Sequence, residues 1–257
     1  MCELFSLNAH EKIRINEYLQ VFISHSNEHR NGWGLAFLDD APCQIKKEAV
    51  KAIDSVFLKE RLQEDILVSK CIGHIRKATI GDVNDLNSHP FTRLDVTGRQ
   101  WVLAHNGTIF ESDALAPFQY VQEGTTDSER ILLYLVSLVN EREKKFSDTS
   151  NGLVRIHLVD ALIKTLVPGN KVNLMIYDKN YLYVHANEVK TLYQKEVENG
   201  MMFATKPLDE ETWTGVPINQ LFVYQDGKLV YIGQKHEHTY VHDEEKMRLL
   251  YLAYAGL

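Results

Sequence analysis

The chain has 257 residues, 44% of them hydrophobic and 25% charged, with a formal net charge of −7. This is the composition of a soluble globular protein long enough to bury a sizeable core, and the acidic balance argues against a nucleic-acid or anionic-membrane surface. No run approaches the ~18 apolar residues of a membrane span, and no basic stretch followed by an apolar one marks a secretory signal. The three cysteines, Cys2, Cys43 and Cys71, are odd in number and lack metal-ligand spacing, which points to a reducing, cytoplasmic compartment.

In chain order, residues 2–7 alternate apolar and polar side chains as a strand does. Residues 11–22 carry Ile13, Ile15, Tyr18, Leu19 and Phe22 near helical spacing and are expected to form a helix. Residues 33–38 form a buried strand in which Gly34 marks a close backbone approach. Asp39, Asp40 and Pro42 punctuate, Cys43 falls in a polar loop, and residues 49–62 show a weak helical pattern. Residues 68–76 read as a strand with Cys71 packed in the core. Residues 81–93 are loop-like. A short strand over 101–105 is broken at once by Asn106-Gly107. A long amphipathic helix starts near Asp127, with Thr126 or Asp127 as its N-cap, and a second helix covers 151–167 before Pro168 and Gly169. Five short strand-like runs follow, at 172–177, 181–186, 201–205, 221–224 and 229–232, with hairpin turns at 178–180 and 226–227. No linker, repeat or low-complexity tract divides the chain. Sequential hairpins oppose a doubly wound parallel sheet and predict one α+β domain over 2–257 with much antiparallel sheet; residues after about 233 form a C-terminal extension.

Cys2 has a particular chemical potential. It is small enough for Met1 before it to be removed, which would leave a thiol and a free α-amine on one Cα. Such an amine titrates at ~7.7 to 8.0 and can take the proton of an adjacent nucleophile. Taken by itself, a cysteine at position two is an accident of sequence.

Four later segments line up with Cys2: His74-Ile75-Arg76-Lys77-Ala78-Thr79, Asn87-Ser88-His89-Pro90-Phe91, Ala104-His105-Asn106-Gly107 and Thr126-Asp127-Ser128-Glu129. With Gly32-Trp33-Gly34 after His29, and Thr205-Lys206-Pro207-Leu208 before Trp213, their order and spacing resemble the class II glutamine amidotransferases, in the stand-alone, YafJ-like branch without an attached synthase domain. The resemblance spans residue 2 to about 233. It implies a four-layer αββα N-terminal-nucleophile hydrolase fold with two stacked antiparallel sheets. It also implies hydrolysis of the side-chain amide of glutamine, or of a related γ-glutamyl amide, through a thioester on Cys2, with ammonia or an amine released.

The resemblance assigns roles that elementary chemistry supports. Asn106 and Gly107 form an oxyanion hole, the alternative being a sharp Asn-Gly turn. Arg76 holds the substrate α-carboxylate with its two-pronged guanidinium; read alone, it is a strand-end arginine in a surface ion pair. Asp127 holds the α-ammonium, a role compatible with helix capping. Thr79 shapes the pocket, His89 and His105 are site-wall or structural residues, and Lys77 has no assigned role. His236, His238 and His242 lack partners at metal-ligand spacing, so neither metal nor cofactor is expected. The charge runs at 141–145 and 196–198 are solvated faces. The expected partners are glutamine or a γ-glutamyl small molecule and a separate synthase or acceptor protein, with no nucleic acid or membrane. The competing reading is a catalytically idle module that binds a glutamyl ligand or regulates a larger complex.

Overall fold

The computed structural model describes residues 2–78, 81–110 and 112–255. Two antiparallel sheets account for its strands. The first is built from β1 (Glu3–Arg14), β2 (Trp33–Phe37), β3 (Gln44–Glu48), β4 (Leu67–Ile75), β9 (Tyr193–Val197), β10 (Gly200–Ala204) and β11 (Thr214–Gly215), in the order β11-β9-β10-β1-β4-β2-β3. The second holds β5 (Phe91–Leu94), β6 (Gln100–Thr108), β7 (Lys171–Tyr177), β8 (Leu182–Ala186), β12 (Gln220–Gln225) and β13 (Lys228–Ile232), in the order β13-β12-β8-β7-β6-β5. The helices are α1 (Asn16–Ser24), α2 (Val56–Arg61), α3 (Asp127–Phe146), α4 (Gly152–Leu166) and α5 (Glu244–Ala255).

Strand alternation divides the apolar residues into three layers of contact. Leu4, Ile72, Val102, Ala104, Met175, Val184 and Phe203 meet between the sheets. Their neighbours Phe5, Leu7, Cys71 and Ile75 face the other way, onto Leu19, Phe22 and Leu58 of α1 and α2. On the far side Trp101, Leu103, Leu174 and Ile176 pack under Leu132, Leu135, Ile156 and Ile163 of α3 and α4. The result is the four-layer αββα arrangement that the sequence resemblance implied, with β1 at the centre of its sheet.

Several boundaries differ from the sequence expectation, each for a physical reason. The predicted helix over 11–22 begins only at Asn16, because β1 runs on to Arg14. Its register shifts after Asn8 and resumes with Ile13 opposite Val68. Ile13 lies on that strand, the Ile15 N–H still bonds the Ile66 carbonyl at 3.0 Å, and the Asn16 side chain fixes the change to helix, accepting from the Ile66 N–H at 2.8 Å and donating to the Glu64 carbonyl at 2.7 Å. The weak helix over 49–62 shrinks to α2, started by a Ser55 cap that accepts from the Leu58 N–H at 3.2 Å. Polar residues hide β3 and β9, which lie towards the margins of their sheet. The 196–198 charge run thus overlaps the end of a strand. At Gly34 the close approach is real: a Cβ there would lie 2.1 Å from the His89 carbonyl oxygen.

One buried ion pair ties α4 to the β7–β8 hairpin. Arg155 and Asp178 are almost fully enclosed, and Arg155 Nε lies 2.6 Å from Asp178 Oδ2. Arg155 also donates to the carbonyls of Thr149 and Ser150, while Asp178 accepts from the Tyr183 hydroxyl and the Tyr181 N–H. Removing one partner leaves an unpaired buried charge, which costs about 3–5 kcal/mol. Arg155→Met is therefore expected to lower the urea midpoint by that equivalent with little change in m-value, whereas Arg142→Met, at the solvent-accessible Arg142–Asp148 pair, should shift it far less.

Candidate active site

The site gathers where the first residues of β1 meet the ends of β4 and β6. Leu4 pairs with His74 across the β1–β4 ladder, and Glu3 with Ile75, so Cys2 falls beside Arg76 and Lys77. The Lys77 N–H lies 3.3 Å from Cys2 Sγ, and the thiol lies 3.4 Å from the Lys77 carbonyl oxygen. Lys77, whose role the sequence left open, thus holds the sulfur through its backbone. On the other flank the Leu4 N–H donates to Thr205 Oγ1 at 2.6 Å, and the Thr205 N–H to the Leu4 carbonyl at 3.0 Å. Glu3 is buried and points the opposite way, into His29 Nε2 at 3.0 Å and Lys206 Nζ at 3.1 Å, with His25 Nδ1 at 3.6 Å.

Asn106 and Gly107 lie inside β6, which continues to Thr108. This corrects the sequence expectation that the pair breaks the strand. No side chain fits at Gly107, where a Cβ would come 2.0 Å from the Lys171 carbonyl oxygen and 2.3 Å from His105 Nε2. Glycine therefore keeps β6 close to β7. Asn106 Nδ2 is a buried donor with no hydrogen-bond partner among the described residues. Cys2, Asn106 and Gly107 all line one cleft of about 170 Å³, together with Thr108, Lys171 and residues of the C-terminal segment.

Arg76 is buried and donates to the carbonyls of Asp82 at 2.7 Å and Gly81 at 3.1 Å. Asp127 is buried at the start of α3, accepting from the Ile109 N–H at 2.7 Å and the Ser128 hydroxyl at 3.2 Å. The helix cap is Thr126, which accepts from the Glu129 N–H; the Glu129 carboxylate accepts the N–H groups of Glu123 and Gly124. Asp127 is thereby relieved of the capping role. Arg76 senses the charges of both Cys2 and Asp127, which puts the two head-group candidates in one electrostatic neighbourhood with the thiol. Thr79, expected to shape the pocket, lies outside the described residues.

His89 and His105 are both hydrogen-bonded within the fold. His89 Nδ1 accepts the His105 N–H at 3.3 Å, and its ring lies tilted against His74 with centroids 4.1 Å apart. His105 bridges Ser128 Oγ at 2.9 Å and the Lys171 carbonyl at 3.1 Å. Burial keeps these rings neutral: it lowers the pKa of His74 to about 3 and those of His89 and His105 below the usual value. Burial also raises the Cys2 thiol above its ordinary value, against the lowering effect of the Lys77 N–H and the charges of Arg76 and Lys171. A thiol so placed needs a base to become a nucleophile.

Sequence reasoning missed Lys171 and the tail. Lys171 opens β7, is buried, and pairs with Glu188 at 2.5 Å. Its only signal is a charge heading an otherwise apolar strand. Tyr240, His242, Met247 and Tyr251 reach the cleft from the far end of the chain, beyond any short-range pattern. His236 contacts His185 Nε2 at 3.0 Å, and no group of three potential metal ligands occurs among the described residues. No described helix is long and apolar enough to cross a membrane.

Residues 1–196 match the family model described as glutamine amidotransferases class-II, and the chain belongs to that family. Within it, the chain is 26% identical to the putative glutamine amidotransferase YafJ of Escherichia coli K12, over 82% of this chain and 88% of that one. It is 24% identical to a γ-glutamyl-hercynylcysteine sulfoxide hydrolase of Mycobacterium tuberculosis over 84% of each. Among solved structures, a predicted glutamine amidotransferase from Pseudomonas aeruginosa superposes with a TM-score of 0.64 at 21% identity, covering 90% of this chain and all of that one. The glutamine phosphoribosylpyrophosphate amidotransferase of Bacillus subtilis superposes with a TM-score of 0.63 at 17% identity, over 89% of this chain and 48% of that one.

The protonation pattern has a consequence for stability. Burial pushes Glu3 up, but its contacts with His25 and Lys206 outweigh that and hold it below the usual carboxylate value. Burial takes His29 to about 4, His74 to about 3 and His185 to about 3. All are depressed in the fold, so below the ~6.5 of an unfolded imidazole the unfolded chain binds more protons. Stability should be level above pH 7 and fall as pH drops from 6.5 towards 3. Each buried imidazole adds a slope of up to about 1.36 kcal/mol per pH unit. Urea titrations at pH 7, 6 and 5 check this, and His74→Phe should reduce the slope by about one proton.

Proposed function

We propose that the protein hydrolyses the side-chain amide of glutamine, or of a related γ-glutamyl amide, through a thioester on Cys2 exposed by removal of Met1. The α-amine of Cys2 takes the thiol proton, and the thiolate attacks the amide carbon. Negative charge gathers on the carbonyl oxygen, stabilised by Asn106 Nδ2 and the Gly107 N–H. The ammonium returns its proton to the amide nitrogen, the C–N bond breaks, and ammonia or an amine leaves. Water then gives a proton to the α-amine and attacks the thioester. The C–S bond breaks, the thiolate regains its proton, and glutamate departs. Arg76 and Asp127 grip the α-carboxylate and α-ammonium of the glutamyl group.

The observation that carries this reading is the buried Asn106 Nδ2 donor, without an acceptor among the described residues, lining the same cleft as the Cys2 thiol. A buried donor left unsatisfied costs about 1–3 kcal/mol, a cost that makes sense where an oxyanion is to arrive. The raised thiol also favours a mechanism with a base on the same residue. An idle binding module has no use for either feature.

Intact mass should show loss of Met1 from the active protein. A glutamine analogue with a diazoketone in place of the amide should alkylate Cys2 and spare Cys43 and Cys71, as read by peptide mapping. Cys2→Ala should abolish ammonia release while glutamine still binds. Asn106→Ala should cost about 10²–10³ in kcat, and Arg76→Lys should act mainly on KM for glutamine. If a processed, folded sample stays unlabelled at Cys2, or Cys2→Ala still hydrolyses glutamine, the idle-module reading replaces this one.

A further inference from the structure

The cleft at Cys2 does not include the proposed glutamyl anchors. Neither Arg76 nor Asp127 lines it; beyond Cys2, Asn106 and Gly107 its walls are Lys77, Thr108, Lys171, Tyr240, His242, Met247 and Tyr251. In an amide held by its glutamyl end, the group on the other side of the reacting carbon is the leaving amine. The cleft therefore occupies the leaving-group side.

Its far wall belongs to the C-terminal segment, which lies past the residues that match the family model. That segment is fastened to the second sheet. The His236 N–H donates to the Asn219 carbonyl at 2.9 Å, the Tyr240 N–H to the Asn187 carbonyl at 2.7 Å, and Asn187 Nδ2 to the His238 carbonyl at 3.1 Å. Tyr240 stacks on Phe110, and Lys246 lies over the same Phe110 ring at 4.3 Å while donating to the Gly169 carbonyl at 3.0 Å. With α5 set in this way, Met247 and Tyr251, four residues apart, fall on one helix face and reach the cleft. A thioether and two aromatic rings make a wall suited to an apolar, ring-bearing group. The volume agrees: the cleft measures about 170 Å³, and an apolar cavity of roughly 150 Å³ holds one benzene ring.

We infer that Tyr240, Met247 and Tyr251 form a leaving-group subsite, and that the preferred substrates are γ-glutamyl amides of amines carrying a single aromatic ring rather than glutamine itself. The inference rests on the hydrolytic reading of Cys2 proposed above. It adds no chemical step: the aromatic amine leaves where ammonia would, protonated by the same α-ammonium.

The test compares glutamine, γ-glutamyl-methylamide and γ-glutamyl-benzylamide on the full, processed chain. The value of kcat/KM is read for each, because it covers the steps through amine release and is blind to slow thioester hydrolysis. The benzylamide should exceed the methylamide by tenfold or more. In Met247→Ala and Tyr251→Ala the benzylamide-to-methylamide ratio should fall at least tenfold, and Tyr251→Phe, which keeps the ring, should preserve it. A ratio near one in the unmodified protein overturns the subsite, as does a ratio the two alanine variants leave in place. If no γ-glutamyl amide is cleaved at all, glutamine included, the hydrolytic reading itself falls, and the two failures are told apart by whether any of the three amides is turned over.

Discussion

The site depends on the pinning of residues 2–4 between two strands. A chain terminus ordinarily frays, because few contacts offset the entropy of ordering it. Here Leu4 is hydrogen-bonded through both its N–H and its carbonyl to Thr205, on one side, and paired in register with His74 on the other. Glu3 adds a buried carboxylate engaged by His29 and Lys206 on the face away from the cleft. Alternation along β1 then leaves the neighbouring Cys2 directed into the space between the sheets. The carboxylate clamp and the thiol are thus consecutive residues serving opposite faces of one strand.

Around that terminus burial keeps the imidazoles of His74, His89 and His105 uncharged. The three rings form a neutral cluster between β4, the residues leading into β5, and β6, behind the strand ends that carry the cleft. Positive charge comes instead from Arg76 and Lys171, each of which lowers the cost of a thiolate at Cys2. His105 also sets the spacing of β6 against β7 through the Lys171 carbonyl, and glycine at 107 is the residue that this spacing permits. The placement of Asn106-Gly107 and of the histidine cluster is therefore one packing problem.

Much of this was legible in the chain because it is local or ordered. The strands at 172–177 and 221–224, the hairpin turns, the α3–α4 helices and the close approach at Gly34 follow from alternation, turn chemistry and capping. The series from Cys2 to Asp127 carried the family because its order survives even though each piece is weak. What escaped depended on distant partners. Asn106-Gly107 looks like a turn until β7 is known to run alongside it. Ile13 and Ile15 read as helical until Val68 is seen across the ladder. β3 and β9 are polar and near sheet margins, so no burial marks them in sequence. Thr126 and Asp127 are equally good caps on paper, and only the Ile109 N–H decides between them. Lys171 and Tyr251 reach the cleft over separations that no short-range pattern can report.

The pairing of β1 with β10 joins residues about two hundred positions apart, and this has a consequence for the order of events during synthesis. At roughly 5–20 residues per second, some ten to forty seconds separate emergence of the amino terminus from that of its partner strand. Through that interval the central strand lacks one neighbour and its leading residue stays open to solvent and to enzymes that act on nascent chains. Removal of Met1, which the proposed chemistry requires, therefore has a natural window that closes as the last quarter of the polypeptide folds. The same delay leaves the cleft without Tyr240, Met247 and Tyr251 until they too have emerged.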